Sequence, residues 1–184
     1  MVLHTEIEFK CPISKSEYEK LIKMFELENN IYKLTNYYFD TDDNYFYNND
    51  ATLRIRHKLP NRYKVTLKSA TEQGALEQHV FLNEENALKM IAEGFNVNPY
   101  FEFDKFVNVY GTLDNYRVSI PYKDGELFFD KIEYFGIVDY EVEYEVDDYE
   151  TGLLDFKAFL SENKIKVRPA KRKSERVFEQ RKEK

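Results

Sequence analysis

The order of apolar and polar residues predicts several strands and a few helices. The segment "TEIEFKC" (residues 5–11) alternates polar and apolar residues strictly, which is the pattern of a β-strand with two different faces. In the next segment, "PISKSEYEKLIKMFE", Ser14 and Glu17 have the spacing of a capping box, and apolar residues follow at helical spacing. We therefore expect a strand followed by a helix at residues 14–26.

Alternating segments continue through most of the chain. Further strand candidates are residues 31–41, 52–58, 62–69, 75–82, 104–113, 115–122, 125–135 and 139–146, and the last four are linked by "DN", "KDG" and "GIV". Helices are expected at residues 84–93, between the cap Asn83 and Gly94, and at about 150–163. Strands in this mostly hairpin order favour a sandwich or a closed barrel, and closure would remove exposed sheet edges.

Composition narrows the class of protein. The chain has 184 residues, of which 33% are charged, and it contains 15 Tyr and 15 Phe, so we expect a single sheet-rich domain over residues 1–184. A net charge of −7 argues against general binding to nucleic acid or to acidic membranes. No apolar run near 18 residues and no secretion leader is evident, so we expect a cytoplasmic protein without a membrane partner.

Charged residues fall on one face of each strand candidate. Glu6, Glu8 and Lys10 alternate with apolar residues in the first strand. The same alternation groups Arg54, Arg56 and Lys58; Lys64 and Lys68; Arg117 and Ser119; and Glu141, Glu143 and Glu145. The central strands are thus cationic, and the first and last are anionic. Like charges on neighbouring strands repel, which indicates that a bound group supplies the counter-charge.

Two explanations of this face compete. A solvated polar face is the common reason for alternation in an antiparallel sheet. Segregation of charge by strand instead favours a ligand site, in which carboxylates hold hard cations such as Mg²⁺ or Mn²⁺. The Arg and Lys side chains would then bind a polyphosphate through charge-assisted hydrogen bonds.

Ordered motifs resemble a known family. The segment "EIEFK" (6–10) resembles the Glu-x-Glu-x-Lys signature of the CYTH domain, whose members are also called triphosphate tunnel metalloenzymes. The segments "YYFDT", "LRIR", "KVTLK", "YEVEYE" and "KSER" follow in the family's order, over nearly the whole chain. The resemblance implies a mainly β (α+β) fold, an eight-stranded antiparallel β-barrel tunnel with peripheral helices, which binds a triphosphate group lengthwise.

The resemblance also implies roles for individual residues. Metal ligands would be Glu6, Glu8, Asp130, Glu141, Glu143 and Glu145. Phosphate would be bound by Lys10, Arg54, Arg56, Lys64, Lys68, Arg117, Lys173 and Arg176, the last two on a helix that closes one tunnel mouth. Glu8, Glu143 and Lys64 are assigned catalytic roles. Alternation does not support or oppose Asp130, because "FFDKIEY" carries charges on both faces.

Three functions follow from the resemblance. The first is Mg²⁺- or Mn²⁺-dependent hydrolysis of a small triphosphate-containing molecule, with inorganic triphosphate preferred to thiamine triphosphate or ATP. The second is an adenylate cyclase of class IV type, which makes cyclic AMP from ATP. The third is a non-catalytic module that binds polyphosphate or nucleotide. No motif indicates a base or ribose pocket, and a homodimer is left open.

Overall fold

Strands make up most of the regular structure. The computed structural model describes residues 2–72 and 74–181, with side chains from residue 5. Within these ranges the elements are β1 (Val2–Ile13), α1 (Lys15–Met24), a 3-10 turn (Glu28–Asn30), β2 (Tyr32–Asp40), α2 (Tyr45–Asn48), β3 (Ala51–Lys58), β4 (Arg62–Ala70), β5 (Ala75–Leu82), α3 (Glu84–Glu93), β6 (Phe95–Asn96), β7 (Phe106–Tyr122), β8 (Gly125–Tyr134), β9 (Ile137–Val146), α4 (Tyr149–Glu162) and α5 (Lys173–Arg181).

The strands pair in the order β2-β3-β4-β5-β1-β9-β8-β7-β6, and β2 also pairs with β7. Over the described residues they form an eight-stranded antiparallel closed barrel, with β6 as a ninth strand outside it. The predicted mainly β barrel with peripheral helices is therefore confirmed. Of the two architectures that the strand order favoured, the closed barrel is the one found.

The chain forms two compact units. The first unit contains the start of β1 together with residues 34–72, 74–114 and 172–181, and the second contains residues 6–33 and 115–171. Each unit has its own apolar core, described below. The single domain expected over residues 1–184 stays a prediction.

The core of the first unit lies on one face of β3 and β4. Leu53, Ile55, Val65 and Leu67 are buried there, and Met90 of α3 packs against the same cluster. These apolar positions alternate with the charged positions of the same strands, as the sequence predicted. The charged side chains therefore lie on the face away from this core.

The core of the second unit lies between β8, β9 and the helices α1 and α4. Val142 and Tyr144 of β9 are fully buried in this core, so the intervening glutamates point to the other face. At Gly152 of α4, an added Cβ would clash with Cγ2 of Val146 in β9. Glycine therefore permits the close packing of α4 on the strand.

The helices begin where the capping residues predicted. The Ser14 hydroxyl accepts a hydrogen bond from the Glu17 amide at 3.2 Å, and a Glu17 carboxylate oxygen accepts one from the Ser14 amide at 2.6 Å, which completes the capping box of α1. Asn83 caps α3 by accepting a hydrogen bond from the Asn86 amide. No helix in the described part of the chain is long and apolar enough to cross a membrane.

The prediction of two strands joined at "DN" is wrong, because β7 runs without a break for 17 residues. Asp114 accepts a hydrogen bond from the Thr35 hydroxyl at 2.7 Å, and Asn115 is fully buried, so neither residue lies in a solvent-exposed turn. The segment "DDNYFYNND" (42–50) has a turn-forming composition but contains α2. The buried Asp40 carboxylate accepts hydrogen bonds from the amides of Phe46 and Tyr47, both at 2.9 Å, and so holds this short helix.

Candidate functional site

Six predicted metal ligands form two groups of three in the second unit. The outer triad consists of Glu6, Glu8 and Glu145, which are half-buried, and the buried triad consists of Asp130, Glu141 and Glu143. Within each triad, one carboxylate oxygen of every residue lies within 4.8 Å of the other two. These are the two such groups among the residues that the structure describes.

Strand register explains how the triads form. Between β1 and β9, Glu8 is opposite Glu145, and between β8 and β9, Asp130 is opposite Glu141. Alternation along β9 then places Glu143 on the same face as its two neighbouring glutamates. Antiparallel register therefore brings together carboxylates that are far apart in the sequence.

The face of Asp130, which alternation left open, follows from its burial. Asp130 is fully buried, whereas Lys131 and Glu133 are half-exposed on the other face and pair with each other at 2.6 Å. Both faces of β8 carry charges, but only the face of Asp130 contributes to a triad.

The outer triad has an excess of negative charge. Burial raises the pKa of Glu145, and the charges of Glu6 and Glu8 raise it further, to about 8, although Arg117 opposes the shift. The raised pKa of Glu145 reflects repulsion among the three carboxylates, which a bound cation would relieve. Closely spaced carboxylate oxygens are the ligands that Mg²⁺ and Mn²⁺ prefer, so this triad fits a divalent cation.

Arg117 supplies the counter-charge of the buried triad. Its Nε and Nη2 donate hydrogen bonds of 2.7 Å to the two carboxylate oxygens of Asp130, and Nη2 also donates to Glu143. Burial lowers the pKa of Arg117, but Asp130 and Glu143 outweigh burial and raise it well above the ordinary value. The structure thus places Arg117, predicted to bind phosphate, among the predicted metal ligands.

Lys10 contacts both triads. Its ammonium group forms an ion pair with Glu8 of the outer triad, and its Nζ lies 4.0 Å from Oε1 of Glu143 in the buried triad. Lys10 is opposite Glu143 in the register of β1 and β9. This predicted phosphate ligand is therefore also surrounded by carboxylates.

The other predicted phosphate-binding residues lie in the first unit. The basic face, as we call it, consists of Arg54 and Arg56 of β3 and Lys64 and Lys68 of β4, all half-buried on the side away from the core. Arg56 is opposite Lys64 in the strand register, and its Nε donates a hydrogen bond of 2.8 Å to the buried side chain of Asn36. The sequence prediction that these cations share a face is borne out by this packing.

Glu77 of β5 is a buried acid on the basic face. Lys64 donates a hydrogen bond of 3.2 Å to Glu77, Arg54 lies 3.7 Å from it, and Lys68 is opposite it in register. Burial raises the pKa of Glu77, but Arg54 and Lys64 outweigh burial and lower it to about 2. Burial lowers the pKa of Lys64, while Glu77 raises it in part. Glu77 is thus ionised and offsets one of the three positive charges around it.

No role was predicted for Glu77, although its position in the sequence indicated one. The residue belongs to the charged face of its strand, next to strands that are cationic. Like charges on adjacent strands require a counter-ion, and the structure shows that Glu77 provides part of it. Its contribution is to hold Arg54 and Lys64 in place.

Lys173 and Arg176 lie on α5, which packs in the first unit. The ring of Phe178 stacks on Tyr47 with 3.7 Å between centroids, and the hydroxyls of Ser174 and Thr52 are 2.8 Å apart. The helix is thereby attached to α2 and β3. The predicted roles of Lys173 and Arg176 in phosphate binding, and the closing of a tunnel mouth by this helix, stay predictions.

Comparisons with known proteins identify the family of the chain. A family model of the CYTH domain matches residues 4–178. The chain is 31% identical, over 95% of each sequence, to a Bacillus subtilis (strain 168) protein described as "Putative triphosphatase YjbK".

Solved structures have the same fold. A Bacillus halodurans structure described as a "putative adenylate cyclase" is 29% identical, with a TM-score of 0.87 over 97% of this chain and 100% of that one. A Hippeastrum protein, described as a putative adenylyl cyclase with a dominant triphosphatase activity, is 21% identical with a TM-score of 0.76 over 95% of each chain.

Proposed function

Because the chain belongs to the CYTH domain family, we propose that it is a divalent-metal-dependent hydrolase of small triphosphate-containing molecules and that inorganic triphosphate is its substrate. The observation that carries the proposal is the pair of carboxylate triads in the second unit. The relative described as a putative triphosphatase, which is similar over nearly its whole length, supports the same reaction.

The two triads are the proposed metal ligands. Mg²⁺ or Mn²⁺ bound there would neutralise and orient phosphate oxygens and lower the pKa of a coordinated water. Either Glu8 or Glu143, one from each triad, would accept the one proton released by the water that attacks the terminal phosphorus. Attack would break the bond between this phosphorus and its bridging oxygen, which gives phosphate and diphosphate.

The basic residues are the proposed phosphate ligands. Arg54, Arg56 and Lys68 would donate charge-assisted hydrogen bonds to phosphate oxygens, and Lys64 would stabilise the negative charge that develops during cleavage. Glu77 keeps Lys64 and Arg54 in position for this contact. Lys173 and Arg176 of α5 are proposed to bind phosphate as well, whereas Lys10 and Arg117 would also balance the charge of the triads.

Cyclisation of ATP is the second candidate. The observation that favours it is the similarity to the Bacillus halodurans protein described as a putative adenylate cyclase. In that reaction the ribose 3′-hydroxyl attacks the α-phosphorus, so the same charged groups would act on a different bond. A binding module without turnover is the third, and the presence of both triads makes it the least favoured.

A product assay separates the three functions. Purified protein is incubated with inorganic triphosphate, ATP or thiamine triphosphate, each with Mg²⁺, Mn²⁺ or a chelator, and phosphate and cyclic AMP are measured separately. We expect metal-dependent phosphate release from inorganic triphosphate, with much slower release from ATP. Cyclic AMP as the main product would show that the protein is a cyclase and not a hydrolase. Tight binding of triphosphate without any product would indicate a binding module without turnover.

A further inference from the structure

A row of four side chains crosses the sheet of the first unit. In the strand registers, Tyr38 of β2 is opposite Arg54, Arg54 is opposite Thr66, and Thr66 is opposite His79 of β5. The neighbours of these residues along the strands, such as Val65, belong to the apolar core. The row therefore lies on the same side of the sheet as the basic face.

Two hydroxyls in this row have no hydrogen-bond partner among the described residues. The side chains of Tyr38 and Thr66 are 1% and 0% exposed, yet Oη of Tyr38 and Oγ1 of Thr66 are both unpaired. Other hydroxyls in the unit are paired, for example that of Thr35, which donates to Asp114 at 2.7 Å. A buried hydroxyl without a hydrogen-bond partner lowers the stability of the folded state, so these two hydroxyls destabilise the ligand-free protein.

Cationic side chains that can only donate hydrogen bonds flank the two hydroxyls. Thr66 lies between Lys64 and Lys68 on the same face of β4, and Arg54 lies between the two hydroxyls in the row. Ammonium and guanidinium groups donate hydrogen bonds but accept none. Glu77, an acid on the basic face, already accepts a hydrogen bond from Lys64 and forms an ion pair with Arg54.

Positive charge and unpaired donors together indicate an anionic acceptor. We propose that Thr66 and Tyr38 are further substrate-binding residues, whose hydroxyls donate hydrogen bonds to phosphate oxygens of a polyphosphate held by the basic face. This inference rests on the proposed function. Neutral donors would add hydrogen bonds to the phosphate chain without adding to the repulsion among the cations. The ring of Tyr110 stacks on that of Tyr38, with 6.0 Å between the ring centroids, and keeps the Tyr38 phenol in place.

The test compares ligand binding with the stability of the ligand-free protein. Thr66→Val removes the hydroxyl with little change in shape, Thr66→Ser retains it, and Thr35→Val is the matched control for a hydroxyl that has a partner. The proteins are otherwise unchanged, and a chelator in place of Mg²⁺ suppresses turnover. Titration calorimetry with inorganic triphosphate under these conditions gives Kd, and thermal denaturation without ligand gives Tm. Tyr38→Phe tests the second hydroxyl in the same way.

The two Val variants should behave in opposite ways. We expect Thr66→Val to raise Kd roughly tenfold without lowering the ligand-free Tm, and Thr66→Ser to bind nearly as the wild-type protein does. Thr35→Val should lower Tm and leave Kd unchanged. An unchanged Kd in Thr66→Val, or a fall in Tm as large as that of Thr35→Val, would overturn the inference. Failure of the wild-type protein to bind triphosphate would instead overturn the proposed function, and the inference with it.

Discussion

Arg117 donates hydrogen bonds of 2.7 Å to both carboxylate oxygens of Asp130. Both residues are buried, and Glu143 accepts a further hydrogen bond from the same guanidinium. The family resemblance placed Arg117 among the phosphate ligands. In the structure, Arg117 holds two carboxylates of the buried triad in position. Removal of this single cation would leave those acids without their main counter-charge.

Arg117→Ala should strongly destabilise the protein in the absence of metal. Loss of one partner from a buried ion pair leaves an uncompensated buried charge, so we expect the free energy of unfolding to fall by about 3–5 kcal/mol. Urea denaturation measures this change. The control is Lys131→Ala, which breaks a half-exposed pair on the other face of the same strand and should cost at most about 1 kcal/mol. Equal costs for the two variants would contradict the role of Arg117.

Arg56→Ala should weaken the binding of inorganic triphosphate by on the order of 1.5–3 kcal/mol, the range for a hydrogen bond to a charged group. Arg56 is half-buried on the basic face, and Asn36 orients its Nε. Titration calorimetry measures Kd for this variant and for the control Arg62→Ala, which removes an exposed arginine at the start of β4. An unchanged Kd in Arg56→Ala would exclude this residue from the binding site.

The ion pair between Glu17 and Arg168 should make stability depend on acid pH. The Arg168 guanidinium donates hydrogen bonds of 3.0 and 3.1 Å to the two carboxylate oxygens of Glu17 and lowers its pKa from 4.5 to about 2. A carboxyl whose pKa is lower in the folded state stabilises the protein fully above its unfolded pKa, and this stabilisation is lost as pH falls towards the folded pKa.

Glu17→Gln should therefore reduce the free energy of unfolding at pH 7 by about 1 kcal/mol, because the pair is partly exposed to solvent. The difference between the variant and the wild-type protein should shrink as pH falls from 4.5 towards 2. Denaturation at a series of pH values checks this, with Glu19→Gln, at a more exposed pair of α1, as the control. A difference that stays constant down to pH 2 would mean that the ion pair is not its cause.

Alternation predicted the face of a strand wherever one side is apolar along its whole length. Along β9, Val142 and Tyr144 are in the core, so the positions of Glu141 and Glu143 followed from the sequence. Alternation did not predict which face of β8 Asp130 occupies. The outer side of β8 is apolar at Leu127 and Phe129 but carries the half-exposed Lys131 and Glu133 further on, so charges occur on both faces.

Contacts between distant parts of the chain could not be predicted from local pattern. The Asp114 and Asn115 pair has the composition of a turn, but the hydrogen bond from Thr35 and the burial of Asn115 keep both inside β7. The ion pairs of Arg117 similarly depend on the position of β7 relative to β8, which alternation within one strand does not determine. The carboxylate and cationic faces were predicted, and the pairing of individual side chains was not.

The most direct test of the account is the rate of metal-dependent phosphate release from inorganic triphosphate by Glu143→Gln. The matched control is Glu133→Gln, on β8 outside both triads. Thermal denaturation of each variant shows that it is folded. If Glu143 binds metal and accepts a proton, Glu143→Gln should stay folded but lose at least about 100-fold in kcat, while Glu133→Gln keeps its rate. A wild-type rate in Glu143→Gln would contradict the assignment of the buried triad as a catalytic metal site.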